Sequence, residues 1–112
     1  MPVLFSDQTP QKELVPGIKA KIAHTESLMT LISEISFGVQ SSPAPLHSHP
    51  AEQTTYILDG ELLVFIEGEE TRRLKPGDIY YVAANVPHAI QSLTEKIHVI
   101  ESFSPLRKEF LK

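Results

Sequence analysis

Apolar and polar residues alternate in short runs along most of the chain. In the run that starts at Ile18, apolar residues alternate with Lys19 and Lys21, which is the period of two expected when one face of a strand is buried. Similar apolar or β-branched runs recur at 28–37, 53–58, 61–66, 71–74, 79–82, 88–93 and 96–103. Turn-forming residues separate these runs at a spacing typical of an all-β sandwich or barrel.

The two ends of the chain and one turn complete this outline. Residues 1–16 contain three prolines among polar residues, which predicts an irregular arm before the domain at 17–112. The segment 105–112 is a candidate for a short helical turn because it opens with proline. The Asp59-Gly60 pair predicts a tight hairpin that joins its two flanking runs.

The composition is that of one globular domain. The chain has 112 residues, of which 41% are hydrophobic, so one modest core is expected. A net charge of −4 without a basic cluster argues against a nucleic-acid partner. The first residues do not form a secretory signal and no apolar run is long enough for a membrane span, so we expect a cytoplasmic location. The absence of cysteine restricts any metal site to nitrogen and oxygen ligands.

Two histidines, His47 and His49, give the clearest chemical signal. Residues two apart project to the same face of an extended segment, Gln53 is in phase with them if the strand stays regular, and His88 opens a later strand. Three neutral imidazoles and an amide oxygen suit a divalent Mn, Fe, Co, Ni or Zn ion. The alternative is a pair of exposed loop histidines beside Pro50.

The last strand presents a carboxyl group on an otherwise apolar face. Strand alternation groups Glu101 with Ile97, Val99 and Phe103. If this face points inward, its apolar surroundings raise the pKa of Glu101 and prepare the carboxyl group for general acid–base chemistry. The alternative is an exposed glutamate at the end of a strand.

Two segments resemble the motifs of the cupin family. The stretch 47–60, HSHPAEQTTYILDG, resembles the first motif, in which His-x-His is followed by Glu and then by Gly. Gln53 stands at the position of that Glu, and six residues separate it from Gly60. The stretch 77–88, GDIYYVAANVPH, resembles the second motif, with Asn85 at the position of its turn glycine. Asparagine tolerates the left-handed conformation that such a turn requires.

The cupin resemblance implies a single-domain double-stranded β-helix, a jelly-roll-like barrel. It also implies that four metal ligands converge inside one end: His47, His49, Gln53 and His88. An amide in place of a carboxylate leaves a bound ion one charge more positive, which makes it a stronger Lewis acid toward an anion but a weaker site overall. Small cupins often pair through apolar outer faces, so the resemblance further implies a homodimer.

The tail from Glu101 to Leu111 resembles that of the KdgF-like pectin-degradation cupins. These enzymes act on 4,5-unsaturated monouronates released by pectate and alginate lyases and promote conversion to the linear keto sugar acid. Matched by position, the resemblance implies Glu101 as the catalytic acid, Phe103 as a pocket aromatic and Arg107 as the arginine that binds substrate. The acid is usually Asp in that pattern, and the extra methylene of Glu101 moves the proton donor by more than about 1 Å.

Three functions are compatible with these features. The first is a uronate-converting enzyme, the second is a non-catalytic sensor or small-ligand binding cupin that carries a metal, and the third is a metal-dependent dioxygenase. An inward acid at Glu101 together with Arg107 favours the enzyme, because a pure binding module does not need an acid. We therefore expect an anionic sugar as the small-molecule partner.

Overall fold

The computed structural model describes residues 2–112, and strands make up nearly all of its regular secondary structure. Two 3-10 turns lie near the ends of the chain, at Ser6–Gln8 and Lys108–Leu111. Nine strands lie between them: β1 (Lys12–Val15), β2 (Ile18–His24), β3 (Met29–Ile35), β4 (Glu52–Asp59), β5 (Leu62–Ile66), β6 (Arg72–Leu74), β7 (Ile79–Val82), β8 (His88–Ser92) and β9 (Ile97–Ser104). The all-β prediction is confirmed.

The strands form two antiparallel sheets. The larger sheet has the order β1-β2-β3-β9-β4-β7 and the smaller one has the order β6-β5-β8. The two antiparallel sheets agree with the expected all-β sandwich or barrel, although their hydrogen bonds do not close them into a barrel. The helical turn expected over 105–112 is a short 3-10 turn of four residues, because the segment is too short to build an α-helix against the sheet.

The N-terminal arm is less irregular than its prolines indicate. Within it, β1 pairs with β2, and Lys12 lies opposite Ala20. Leu14 packs against the buried cluster around Met29, so one apolar contact fixes this strand at the edge of the larger sheet. The first residue of the predicted arm lies outside the described residues, and the division at residue 17 stays a prediction.

The predicted Asp59-Gly60 hairpin is wrong. β4 pairs with β7 and β9, whereas β5 pairs with β6 and β8, so the chain passes from one sheet to the other at Gly60. Gly60 has a φ of 85°, and a Cβ there would collide with the backbone carbonyl of Lys96. Glycine is therefore required for the crossing itself.

The core lies between the two sheets and supports the site. One buried cluster combines residues of both sheets, including Ile57, Leu62 and Val99. A second cluster around Met29 and Phe103 fills the end of the molecule where the C-terminal turn packs. No helix within residues 2–112 has the length and apolarity needed to cross a membrane.

Candidate functional site

Three histidines from the two motif segments meet at one end of the sheets. His47 pairs with His88 through two backbone hydrogen bonds, of 3.0 Å from the His47 amide and 2.9 Å from the His88 amide. The rings of His47 and His88 are 4.3 Å apart, and the ring of His49 is 4.9 Å from that of His88. One nitrogen from each ring lies within 4.8 Å of the others. These three histidines could bind one metal ion.

The loop of the second motif helps to hold His49. Asn85 has a φ of 64°, the left-handed conformation expected at the turn position. Its backbone amide donates to the carbonyl of His49 at 2.8 Å. The two motifs are thus joined by backbone contacts at both His47 and His49.

Hydrogen bonds fix the orientation of two of the imidazoles. The Nδ1 atom of His49 lies 2.8 Å from the carbonyl of Ala51, and the Nδ1 atom of His88 lies 2.9 Å from that of Val86. A carbonyl only accepts, so both Nδ1 atoms carry the proton and both Nε2 atoms keep a lone pair. These Nε2 atoms are buried and lack a hydrogen-bond partner within residues 2–112. Buried polar atoms are seldom left without a partner, and a metal ion would satisfy both.

The electrostatics of the cluster favour neutral imidazoles. Burial lowers the pKa of His88, and the positive charge of a protonated His49 would lower it further. Partial burial is also the main cause that lowers the pKa of His47, followed by the charges of His88 and Arg107. Neutral imidazole is the form that coordinates metals, so the donor set fits a divalent ion such as Ni, Zn, Mn, Fe or Co.

Gln53 connects this cluster with the interior of the larger sheet. It is buried on β4, and its NH₂ group donates to Thr55 Oγ1 at 2.9 Å, to Glu101 Oε2 at 3.3 Å and to the Tyr80 hydroxyl at 3.4 Å. The ladder explains the grouping, because Thr55 lies directly opposite Tyr80 on one side and Glu101 on the other. The Gln53 side chain therefore contacts all three of these neighbouring residues.

Glu101 faces the interior, as one of the two readings of strand alternation predicts. Burial raises the pKa of its carboxyl group, while the nearby charge of Arg107 acts in the opposite direction. Burial outweighs the charge, so the group holds its proton to higher pH than an exposed glutamate does. The raised pKa widens the pH range over which this carboxyl group can donate a proton.

Arg107 is held between two aromatic rings. Its guanidinium carbon lies 4.3 Å from the ring centre of Phe110 and 5.2 Å from that of Phe103. One Nη atom pairs with Glu109 at 3.2 Å, and the buried Nε has no partner within residues 2–112. The side chain is only 17% exposed. The N–H groups of its guanidinium fork are therefore largely desolvated and available to bind an anion. Lys12 holds the C-terminal 3-10 turn in place, because its Nζ atom donates a hydrogen bond to the Phe110 carbonyl at 2.8 Å.

A cavity of about 250 Å³ brings these groups together. Its polar wall consists of His47, Gln53, Thr55, Tyr80, His88, Glu101 and Arg107. Aliphatic side chains form most of the remaining wall, with Leu31, Leu62 and Val99 among them. Such walls exclude water and strengthen the electrostatic interactions inside.

Every residue singled out in the sequence lies at or beside this cavity. His49 and Phe103 are the two that lie behind the polar wall, where their rings pack 5.7 Å apart. Sequence reasoning gave no role in the site to Thr55 or Tyr80, which contact Gln53. Thr55 could have been found because it lies two residues after Gln53 and therefore shares its face of the strand. Nothing local in the sequence places Tyr80 beside them.

Comparisons with known proteins agree with this geometry. The family model of the cupin domain matches residues 34–101. The pectin degradation protein KdgF of Dickeya dadantii (strain 3937) is 39% identical over 109 residues, which is 96% of this chain and 96% of that protein.

Two solved structures are similar over nearly the whole chain. KdgF from Halomonas sp. superposes with a TM-score of 0.79 at 34% identity and covers 94% of this chain and 95% of its own. An RmlC-like cupin from Shewanella frigidimarina NCIMB 400 superposes with a TM-score of 0.81 at 27% identity, covering 96% of this chain and 93% of its own. Motifs, sheets and histidine cluster lead to one conclusion: the chain belongs to the cupin family and is a relative of the KdgF proteins.

Proposed function

We propose that this cupin uses a divalent metal to open the ring of 4,5-unsaturated monouronates from pectin or alginate breakdown, giving the linear keto sugar acid. The proposal draws on the similarity to proteins named for pectin degradation. The observation that carries it is the single cavity shared by the histidine cluster, the carboxyl group of Glu101 and the guanidinium of Arg107. Its volume of about 250 Å³ is at the small end for ligand pockets and suits a single sugar ring.

The reaction requires that one proton be moved. The hydroxyl at C1 of the substrate loses its proton as the bond between C1 and the ring oxygen breaks, which leaves an aldehyde and an enol at C5. The enol then takes a proton at C4, loses the proton of its hydroxyl group and becomes a ketone. The sugar is isomerised with no net gain or loss of atoms, and the C4–C5 double bond disappears.

Each residue has a role in this proposal. Arg107 binds the substrate carboxylate with its fork, and the rings of Phe103 and Phe110 hold the guanidinium in place. Glu101 accepts and returns the proton. His47, His49, Gln53 and His88 hold the metal, which when bound supplies Lewis acidity toward the sugar oxygens.

The ultraviolet absorbance of the C4–C5 double bond tests the function directly. Metal-loaded protein should accelerate the decay of this absorbance in 4,5-unsaturated galacturonate above the spontaneous rate. Glu101→Gln keeps the size of the side chain but cannot exchange a proton, so turnover should fall by about 10²-fold or more. Arg107→Lys keeps the charge but loses the fork, so it should mainly raise KM.

Two results would contradict this assignment in different ways. A wild-type rate equal to the spontaneous rate rejects the enzymatic function for this substrate and leaves a binding cupin as the better description. Accelerated decay with an equally fast Glu101→Gln variant rejects only the proton carrier. The Glu101→Gln protein should hold as much metal as the wild type, which separates loss of chemistry from loss of the ion.

The metal site has its own prediction. Protein purified without chelator should contain close to one divalent ion per chain, measured by elemental analysis. Replacing His47 and His88 by alanine together should empty the site, because the remaining His49 and Gln53 cannot hold an ion alone. His24→Ala is the matched control, since His24 is exposed on β2. Stoichiometric metal in the double variant would reject the ligand assignment.

A further inference from the structure

The side chain of Gln53 has two chemically different ends, and the structure separates them. Within residues 2–112, all three of its hydrogen bonds are made by the NH₂ group, to Thr55, Tyr80 and Glu101. The carbonyl oxygen is left for the cavity that Gln53 lines together with His47 and His88. Only the carbonyl end of an amide can ligate a metal, because the amide nitrogen has no available lone pair.

The partners of the NH₂ group belong to the sheet rather than to a loop. Thr55 is 2% exposed and Tyr80 is 9% exposed, and the two residues face each other across the β4–β7 ladder. Thr55 is therefore fixed on a strand that is paired on both sides, and Tyr80 is buried on the edge strand beside it. After a half-turn of the amide about its last bond, the hydroxyl groups of Thr55 and Tyr80 could donate to the carbonyl oxygen, whereas a carboxylate at Glu101 can only accept, so Glu101 is the partner that requires the NH₂ group.

We propose that Thr55 and Tyr80 are positioning residues that hold the Gln53 amide in place, while the acceptor oxygen of Glu101 sets its orientation and leaves the carbonyl oxygen free to ligate a metal ion. The inference rests on the proposed ligand set and deepens it. It also accounts for glutamine where the family motif has glutamate. A carboxylate at position 53 would lie within about 3.3 Å of the carboxyl group of Glu101, and two like charges at that distance repel.

Cobalt(II) alone is the probe that tests this orientation. The visible absorption of bound Co²⁺ reports the number and type of its ligands, whether or not the protein catalyses any reaction. Gln53→Leu supplies the reference spectrum of a site without the amide oxygen. Thr55→Val and Tyr80→Phe remove one hydroxyl each with little change in volume, and Thr54→Val and Tyr56→Phe are matched controls on the exposed face of β4.

We expect the Thr55→Val/Tyr80→Phe double variant to show the spectrum of Gln53→Leu and to bind Co²⁺ about tenfold more weakly in chelator competition, the cost typical of losing partners behind a ligand. The two control variants should behave as the wild type. Thr55→Ser, which keeps the hydroxyl, should restore the wild-type spectrum if orientation rather than packing is responsible.

The outcomes distinguish failure of this inference from failure of the proposed ligand set. A wild-type spectrum and affinity in the double variant would overturn the positioning role while leaving Gln53 as a ligand. A wild-type spectrum in Gln53→Leu would instead show that Gln53 does not ligate, which rejects the ligand set itself. If the double variant does not fold, the two single variants and Thr55→Ser decide the question with the same readout.

Discussion

At the scale of single residues, the clearest consequence concerns the buried carboxyl group of Glu101. Burial raises its pKa in the folded protein, so the folded state binds this proton more tightly than the unfolded state. Stability therefore falls as the pH rises from the unfolded pKa toward the folded one. At neutral pH the carboxyl group costs stability, and below about pH 4 the cost disappears.

Glu101→Gln should accordingly raise Tm in metal-free protein by a few degrees at pH 7 and by much less at pH 4. Thermal melts followed by circular dichroism at the two pH values measure this difference. Glu52→Gln is a suitable control, since Glu52 is an exposed glutamate on β4. An equal gain at both pH values would show that burial does not govern the titration of Glu101.

The residues of the site also show what a sequence can reveal. Alternation along β9 grouped Glu101 with Phe103, and the same rule along β4 would have grouped Gln53 with Thr55, because residues two apart share a face. Tyr80 could not be found in this way. Its hydroxyl reaches Gln53 only because β7 pairs with β4, and pairing between distant strands leaves no mark on the local pattern.

At the scale of elements, strand positions were predictable and strand partners were not. The runs of alternating residues coincide closely with β2 to β9. The Asp59-Gly60 pair correctly indicated a change of direction, but the chain changes sheets there instead of forming a hairpin. A turn signal describes the φ and ψ angles of two residues, and it contains no information on which strand lies alongside.

The contact between β1 and the C-terminal turn gives a prediction at this scale. Lys12→Met keeps the apolar stem but loses the bond to the Phe110 carbonyl, so Phe110 should hold Arg107 less firmly. Apparent affinity for the anionic substrate should fall about threefold to tenfold, the range expected for one lost hydrogen bond, with a smaller effect on kcat. Lys19→Met is the control, because Lys19 lies on the exposed side of β2, and it should leave KM unchanged. An equal rise in KM for both variants would contradict the role of the contact between Lys12 and Phe110.

At the scale of the whole molecule, an apolar band crosses the outer face of the larger sheet. Cross-strand pairing places Ile100 between Ile32 and Tyr56, and Tyr56 lies opposite Ile79. Four strands therefore contribute to one apolar band, and Ile32, Tyr56 and Ile79 are 50%, 39% and 61% exposed. Exposed apolar patches of this extent commonly mark contacts between proteins, and a second copy of the chain is the partner that the homodimer prediction requires.

Light scattering on the purified protein should report a dimer at micromolar concentration. Tyr56→Lys places a charge in the centre of the band and should give monomers. Val39→Lys is a matched control, because Val39 is 64% exposed and lies outside the band. A monomeric wild type, or a Tyr56→Lys variant that remains dimeric, would remove this face from consideration.

The backbone bridge between His47 and His88 has a consequence for how the protein responds to metal supply. Two hydrogen bonds join these segments through backbone groups that would not ligate an ion, so this part of the pocket does not depend on a metal for its assembly. An ion that binds an assembled pocket adds stability in proportion to the logarithm of its free concentration. Scarcity of metal should therefore lower the resistance of the protein to unfolding gradually, in contrast to small zinc domains that collapse when their ion is withdrawn.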